Sequence, residues 1–131
     1  MQESLKLQHI PIKMYRAPER LTVAAPMPGL QPEDILVQVN SSNHLLLQGE
    51  LRGLLKDIKE LLVDEWSVGG YYREIELPDC VDAERANVTY RNGVLVVAMP
   101  ISERTIPAML ALETVGPDHG ERVGNVGHAQ T

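Results

Sequence analysis

Short runs of alternating apolar and polar residues, broken by turn-forming clusters, occupy the chain from about residue 11 to residue 100. In "ILVQV" (35–39) the β-branched residues Ile35, Val37 and Val39 take every second position. That is the period of a strand with one buried face. "HLLLQGE" (44–50) returns after the turn "NSSN", so 35–50 reads as a hairpin. "PIKMYR" and "RLTVAAPM" predict two earlier strands with a turn at Ala17-Pro18-Glu19. "PMPGLQPED" (26–34) holds three prolines and a glycine and is a loop. "YYREIEL" (71–77) alternates again, with Tyr71, Arg73, Ile75 and Leu77 on one side, and Pro78 ends it. "DCVDAER" (79–85) is a loop with room for a helical turn.

The last hairpin, "ANVTYRNGVLVVAMP" (86–100), carries the sharpest local signal. Asn-Gly favours a two-residue type I′ turn, because both central residues need positive φ. With Asn92-Gly93 as that turn, Arg91 faces Val94, Tyr90 faces Leu95, Val88 faces Val97 and Ala86 faces Met99. A slip of one residue would carry Leu95 and Val97 away from the core. The opposite face pairs Thr89 with Val96 and Asn87 with Ala98. Val94, Val96 and Ala98 therefore need cover too. The second strand is expected to be central and covered on both sides, its second face by a neighbouring segment of the same chain or by a partner.

Two segments depart from this period. In "LRGLLKDIKELLVDEW" (51–66), Leu51, Leu54, Leu55, Ile58, Leu61 and Leu62 follow a helical rhythm, interrupted early by Gly53. Beyond Pro100 the periodicity fades, and "VGPDHGERVGNVGHAQT" (115–131) is a polar, Gly-rich tail expected to be disordered. About seven short strands with regular turns, and no βαβ alternation, predict an all-β fold, an antiparallel β-sandwich.

Composition narrows the function classes. The chain has 131 residues, enough for one domain with its own core. It has no Phe and one Trp, so aliphatic side chains must fill that core. Net charge is −6, which argues against a nucleic-acid surface. Cys80 is the one cysteine, so no intrachain disulfide can form, as suits a reducing compartment. No apolar run is long enough for a signal peptide or a membrane span. A cytoplasmic location, with no membrane or nucleic-acid partner, is the expectation.

Catalytic chemistry finds little support. His9, His44, His119 and His128 are scattered. No HExxH, CxxC, phosphate loop or nucleophile elbow occurs. Ser41 and Ser42 read as turn hydroxyls. The adjacent carboxylates Glu33-Asp34 and Asp64-Glu65 diverge if extended. Cys80 stands between Asp79 and Asp82, the wrong company for a reactive thiolate. No enzyme, cofactor, metal site or small-molecule substrate is expected.

Three motifs, in order, resemble those of the small heat shock proteins with an α-crystallin domain. "APMPGLQPEDILVQVNSSNHLLLQGE" (25–50) is similar to that family's L-P-G-x-x-x-E-D-I-x-V segment followed by L-x-I-x-G-E. "GGYYREIELPDCVDAERANV" (69–88) resembles its G-x-F-x-R-x-F-x-L-P run. "VTYRNGVLVVAMP" (88–100) resembles A-x-x-x-n-G-V-L-x-V-x-x-P, with Val88 in place of the Ala and Tyr71 in place of the first Phe of the preceding motif.

The resemblance implies an immunoglobulin-like sandwich over 11–101, a short N-terminal arm (1–10) and a partly disordered C-terminal extension (102–131). It implies an ATP-independent holdase that keeps partly unfolded client proteins soluble, built on a homodimer and capable of higher homo-oligomers. The loop 51–65 is then a dimerisation loop, with a swapped strand near 59–63 competing with the helix that the periodicity suggests. Arg73 matches the family Arg, implying a dimer-interface ion pair with Asp64 or Glu65 beside Ile58, Leu61 and Leu62. The family's C-terminal docking motif has its nearest counterpart in Leu110 and Leu112. Its groove corresponds to Val37 and Val39 on one wall and Val88 and Tyr90 on the other, which implies that 86–90 lies at a sheet edge and 94–99 is central. An ordinary apolar pair folding onto its own sandwich is the competing account of Leu110 and Leu112. The arm of about ten residues weakens the expectation of large cages. It leaves a p23-like co-chaperone, or a dimeric interaction module with a dedicated partner, as the alternative.

Overall fold

The computed structural model describes residues 7–50, 62, 70–116 and 119–124. Among these residues eleven strands form two sheets. They are β1 (Leu7–His9), β2 (Lys13–Ala17), β3 (Arg20–Pro26), β4 (Ile35–Val39), β5 (His44–Glu50), β6 (Gly70–Glu76), β7 (Asn87–Arg91), β8 (Val94–Pro100), β9 (Ala108–Leu110), β10 (Glu113–Gly116) and β11 (His119–Arg122). One sheet runs β1-β6-β5-β4-β9, the other β10-β11-β7-β8-β3-β2. All pairings are antiparallel except β1 with β6. The fold is the expected β-sandwich.

Alternation decides which side chains enter the space between the sheets. Val37, Leu45 and Leu47 from one sheet meet Leu21, Val23, Val88, Leu95 and Val97 from the other, all fully buried. No polar or charged residue among those described is fully buried, apart from the ring of Tyr90, whose hydroxyl is hydrogen-bonded. Met27 and Tyr90 supply the bulk that missing phenylalanines would otherwise provide.

The last hairpin folds in the expected register. Asn92 (φ 54°) and Gly93 (φ 79°) are both left-handed. Arg91 pairs with Val94, Tyr90 with Leu95, Thr89 with Val96, Val88 with Val97 and Asn87 with Ala98. Gly93 also lies close to Pro28, where a Cβ would come within 3.2 Å of the proline side chain.

Three expectations need correction. β8 is central, between β7 and β3, but its outer face is only partly covered. Val94 is 39% exposed, and Val96 and Ala98 are half-buried among side chains of the flanking strands. A two-layer sandwich has no third layer to lay over that face. Nor is the 86–90 strand an edge, because β11 pairs with β7 through Gly120–Tyr90, Glu121–Thr89 and Arg122–Val88. Finally, residues 113–116 and 119–122 form the β10–β11 pair, where a disordered tail is expected from residue 115. Its glycines and charges carry no strand periodicity. What holds it is its pairing with β7, the close approach of Gly120 to Pro32 and the Arg122 side chain.

Candidate partner-binding edges

The sandwich has two lateral flanks. At the first, β1 continues through Ile10 into β2, so the N-terminal segment supplies the outer strand of each sheet. Ile10 is buried. Arg73 lies on β6 opposite Leu47, on the core-facing side that its alternation assigned to it. Its guanidinium Nη1–H donates to the carbonyl oxygen of Ile10 at 2.6 Å. The cation thus satisfies a backbone acceptor and holds the N-terminal segment against β6. Asp64, Glu65, Ile58 and Leu61 lie outside the described residues, as does the rest of the expected dimerisation loop apart from Leu62. Leu62 is 84% exposed, an apolar side chain available to a partner. β2 is the outer strand of its sheet, with Tyr15 mostly in solvent.

The second flank lies between β4 and β7. Val37, Val39, Val88 and Tyr90, the expected groove residues, are all buried in the core. The chain's own C-terminal segment fills the space beside them. Leu110 pairs with Val37, and Ala108 with Val39. Leu110 is buried, and Leu112 packs, half-buried, against the same core. Within one chain the Leu110–Leu112 pair therefore folds onto its own sandwich. On the other wall β11 covers β7. Arg122 Nη1 donates to the carbonyl oxygen of Ala86 at 2.6 Å, and Nη2 to that of Glu84 at 3.2 Å. The amide of Gly124 donates to Oδ1 of Asn87 at 2.6 Å. Sequence reasoning missed Gly120, Arg122 and Gly124. The one available signal was the recurrence of glycine at 120 and 124 around an arginine.

The loop 26–31 closes one end of the sandwich. Tyr90 Oη donates to the carbonyl of Met27 at 2.7 Å and accepts from the amide of Leu30 at 3.3 Å. Tyr71 Oη donates to the carbonyl of Pro28 at 2.9 Å, and the amide of Met27 donates to the carbonyl of Gly93 at 2.8 Å. Partial burial raises the Tyr71 phenol above its ordinary pKa, so it remains a donor at neutral pH. The open cleft beside this loop, about 670 Å³, includes Arg91 and His119 in its lining. At the other end Asn43, itself left-handed (φ 63°), donates through Nδ2 to the carbonyl of Asp79 at 2.8 Å and accepts from Thr105 Oγ1 at 2.9 Å.

On the outer face of the β1-containing sheet, His44 Nδ1 and Glu74 Oε2 are 2.6 Å apart, and Tyr72 Oη donates to Glu74 Oε1 at 3.3 Å. The hydrogen bond with His44 is the largest cause holding the Glu74 carboxyl below its ordinary pKa. Desolvation opposes it, and the Tyr72 bond assists. Desolvation, followed by the charge and hydrogen bond of Glu74, raises the Tyr72 phenol. Cys80 is half-buried and unoxidised. No group of three or more His, Cys, Asp or Glu among the described residues is arranged to hold a metal ion, and no described helix is long and apolar enough to cross a membrane.

A model of the Hsp20/alpha crystallin family matches residues 13–109, most of the sandwich. The chain belongs to that family. It is 34% identical over 104 residues to a 17.5 kDa class I heat shock protein of Glycine max, covering 76% of this chain and 65% of that one. Among solved structures it is similar to heat shock protein 16.0 from Schizosaccharomyces pombe, at 25% identity with a TM-score of 0.64, covering 76% of this chain and 71% of that chain. A small heat-shock protein from Xylella fastidiosa, described as having a distinct high order structure, matches at 27% identity with a TM-score of 0.60, covering 82% of this chain and 95% of that chain. The chain spans about two thirds of the length of the curated relatives it matches. The match to the Hsp20 family runs from the start of β2 into β9, and the 119–124 segment falls beyond the matched residues.

Proposed function

We propose that this Hsp20-family chain is an ATP-independent holdase that binds partly unfolded proteins through apolar contact and prevents their aggregation. The observation that carries this reading is an apolar patch on the outer face of each sheet. On one, Leu46 and Met109 flank Gln38 across the strands, with Leu36 two residues along β4. On the other, Val94, Val96 and Ala98 stand beside Ala24 and Thr22. Such patches suit transient capture of sticky, non-native surface, and the net negative charge favours solubility of the complexes. The mechanism requires no covalent step and no cofactor.

The building block on this reading is a homodimer. Arg73, Asp64, Glu65, Ile58, Leu61 and Leu62 would form its interface, and exchange of Leu110 and Leu112 between subunits would extend it to higher oligomers. Light scattering from a heat-labile client tests the activity. Equimolar protein should suppress aggregation, and an unchanged scattering curve would overturn the holdase reading. One observation favours the second reading, a dimeric interaction module or p23-like co-chaperone with a dedicated partner. The chain's own C-terminal segment already lines both walls of the β4–β7 flank. Capture of a single dominant partner, with no effect on client aggregation, would select that reading.

A further inference from the structure

We propose that the β7 edge and the turn before it form a strand-acceptor site selective for a Gly-x-Arg-x-Gly segment, with residues 119–124 of the same chain as its resident clasp. The site is built from the backbone outward. In the 3-10 turn Ala83–Arg85, the amides of Arg85 and Ala86 donate to the carbonyls of Asp82 and Ala83. The turn's own bonds thus leave the carbonyls of Glu84 and Ala86 without amide partners, as at the end of any short helix. Arg122 supplies donors to both. One planar guanidinium can serve two carbonyls, a geometry a single ammonium reproduces poorly.

Glycine is required on either side for a steric reason. At position 120 a Cβ would come within 2.5 Å of Pro32 Cβ. At position 124 it would collide with the carbonyl oxygen of Ala86. The first contact is with a rigid proline ring and the second with backbone, and neither glycine has the positive φ that would explain it otherwise. The amide of Gly124 then completes the clasp on Asn87. Strand pairing from 120 to 122 with 90 to 88 fixes the register of these three contacts. While the clasp is closed, β7 offers no free edge to a foreign strand, and opening it exposes a strand-acceptor of the kind that extended segments add to. That last consequence rests on the holdase or partner-binding reading; the clasp and its selectivity do not.

The test uses the full chain with Gly120→Val, Gly124→Ala or Arg122→Ala. Backbone amide exchange is measured over 87–91 and, as an internal control, over 94–100. A fluorescent peptide with the sequence of residues 113–124 is titrated into each protein and followed by anisotropy. Each variant should exchange about tenfold faster over 87–91, as loss of charge-assisted or close backbone contacts implies, with 94–100 unchanged. The opened variants should capture the peptide and the parent should not, and a peptide carrying Arg122→Ala should fail to bind any of them. Unchanged exchange over 87–91 in all three variants would overturn the clasp. So would acceleration spread equally over 94–100, or faster exchange with no peptide capture. A parent chain that fails to protect a heat-labile client would count against the holdase reading alone, since none of these measurements involves a client.

Discussion

Tyr90 reaches from the middle of β7 to the loop that closes the sandwich. Tyr90→Phe keeps the ring and removes the donor to Met27, leaving a buried carbonyl short of its partner. The expected loss is about 1–3 kcal/mol, read as a lower urea midpoint with an unchanged slope. His44 and Glu74 make a solvent-exposed pair with a pH signature. The folded-state pKa of Glu74 is depressed. Its contribution is therefore present above the ordinary carboxylate range and is lost as pH falls through the lowered value. Exposure keeps that contribution small. In His44→Ala the Glu74 carboxyl should titrate closer to its ordinary value, as side-chain carbonyl NMR would show. An unmoved titration would mean that Tyr72 and solvent set it. Neither feature was legible beforehand. Tyr90 was assigned to the core from its period, but its hydroxyl partners lie 60 and 63 residues away in sequence. Glu74 and His44 share a face only because β5 and β6 pair.

Among the elements, the 86–100 hairpin was readable because one local rule fixed everything else. Asn-Gly set the turn, the turn set the register, and the register set the faces. Replacing Gly93 with Val should test that chain of dependence. It demands a left-handed β-branched residue against Pro28, costing about 1–3 kcal/mol, visible as a lowered midpoint of thermal unfolding. The β10–β11 pair was illegible for the opposite reason. Its strands are short, its positions alternate no apolar residues, and its specificity comes from a glycine against the Pro32 ring and an arginine on backbone carbonyls, with Gly124 just beyond it. Periodicity detects elements that bury one side, and this one is held by its edge. The outer face of β8 was misjudged because its apolar residues were assumed to need a cover. Neighbouring side chains shelter Val96 and Ala98 in part, and Val94 is left open.

For the whole molecule, the decisive question is whether Leu110 and Leu112 stay on their own sandwich or exchange. Leu110→Ala removes a fully buried side chain and should cost about 2–4 kcal/mol. If the segment stays at home, that loss is independent of protein concentration, and any concentration dependence of the parent's midpoint survives Leu110→Ala. If it exchanges, the midpoint of the parent rises with concentration by mass action. Truncation before Ala108 should lower the native mass to that of a dimer, as light scattering after gel filtration would show. An unchanged mass would remove Leu110 and Leu112 from the assembly. The sandwich and its family were legible in three motifs; the oligomeric arrangement was not, because it depends on surfaces whose partners lie in other chains.

The placement of the outer strands has a geometric outcome. β1 lies beside β6 on one flank, while β9 lies along β4 and β11 along β7 on the other. The described sandwich thus has unlike ends on opposite sides. Two copies meeting end to end join different surfaces, so such a contact has no twofold axis of its own. Each added copy repeats the same rotation. The row closes into a ring only when that rotation divides a full circle, and otherwise it grows as a helix. A few degrees in the path of residues 101–107, between β8 and β9, would then set the number of copies without altering any residue in the core.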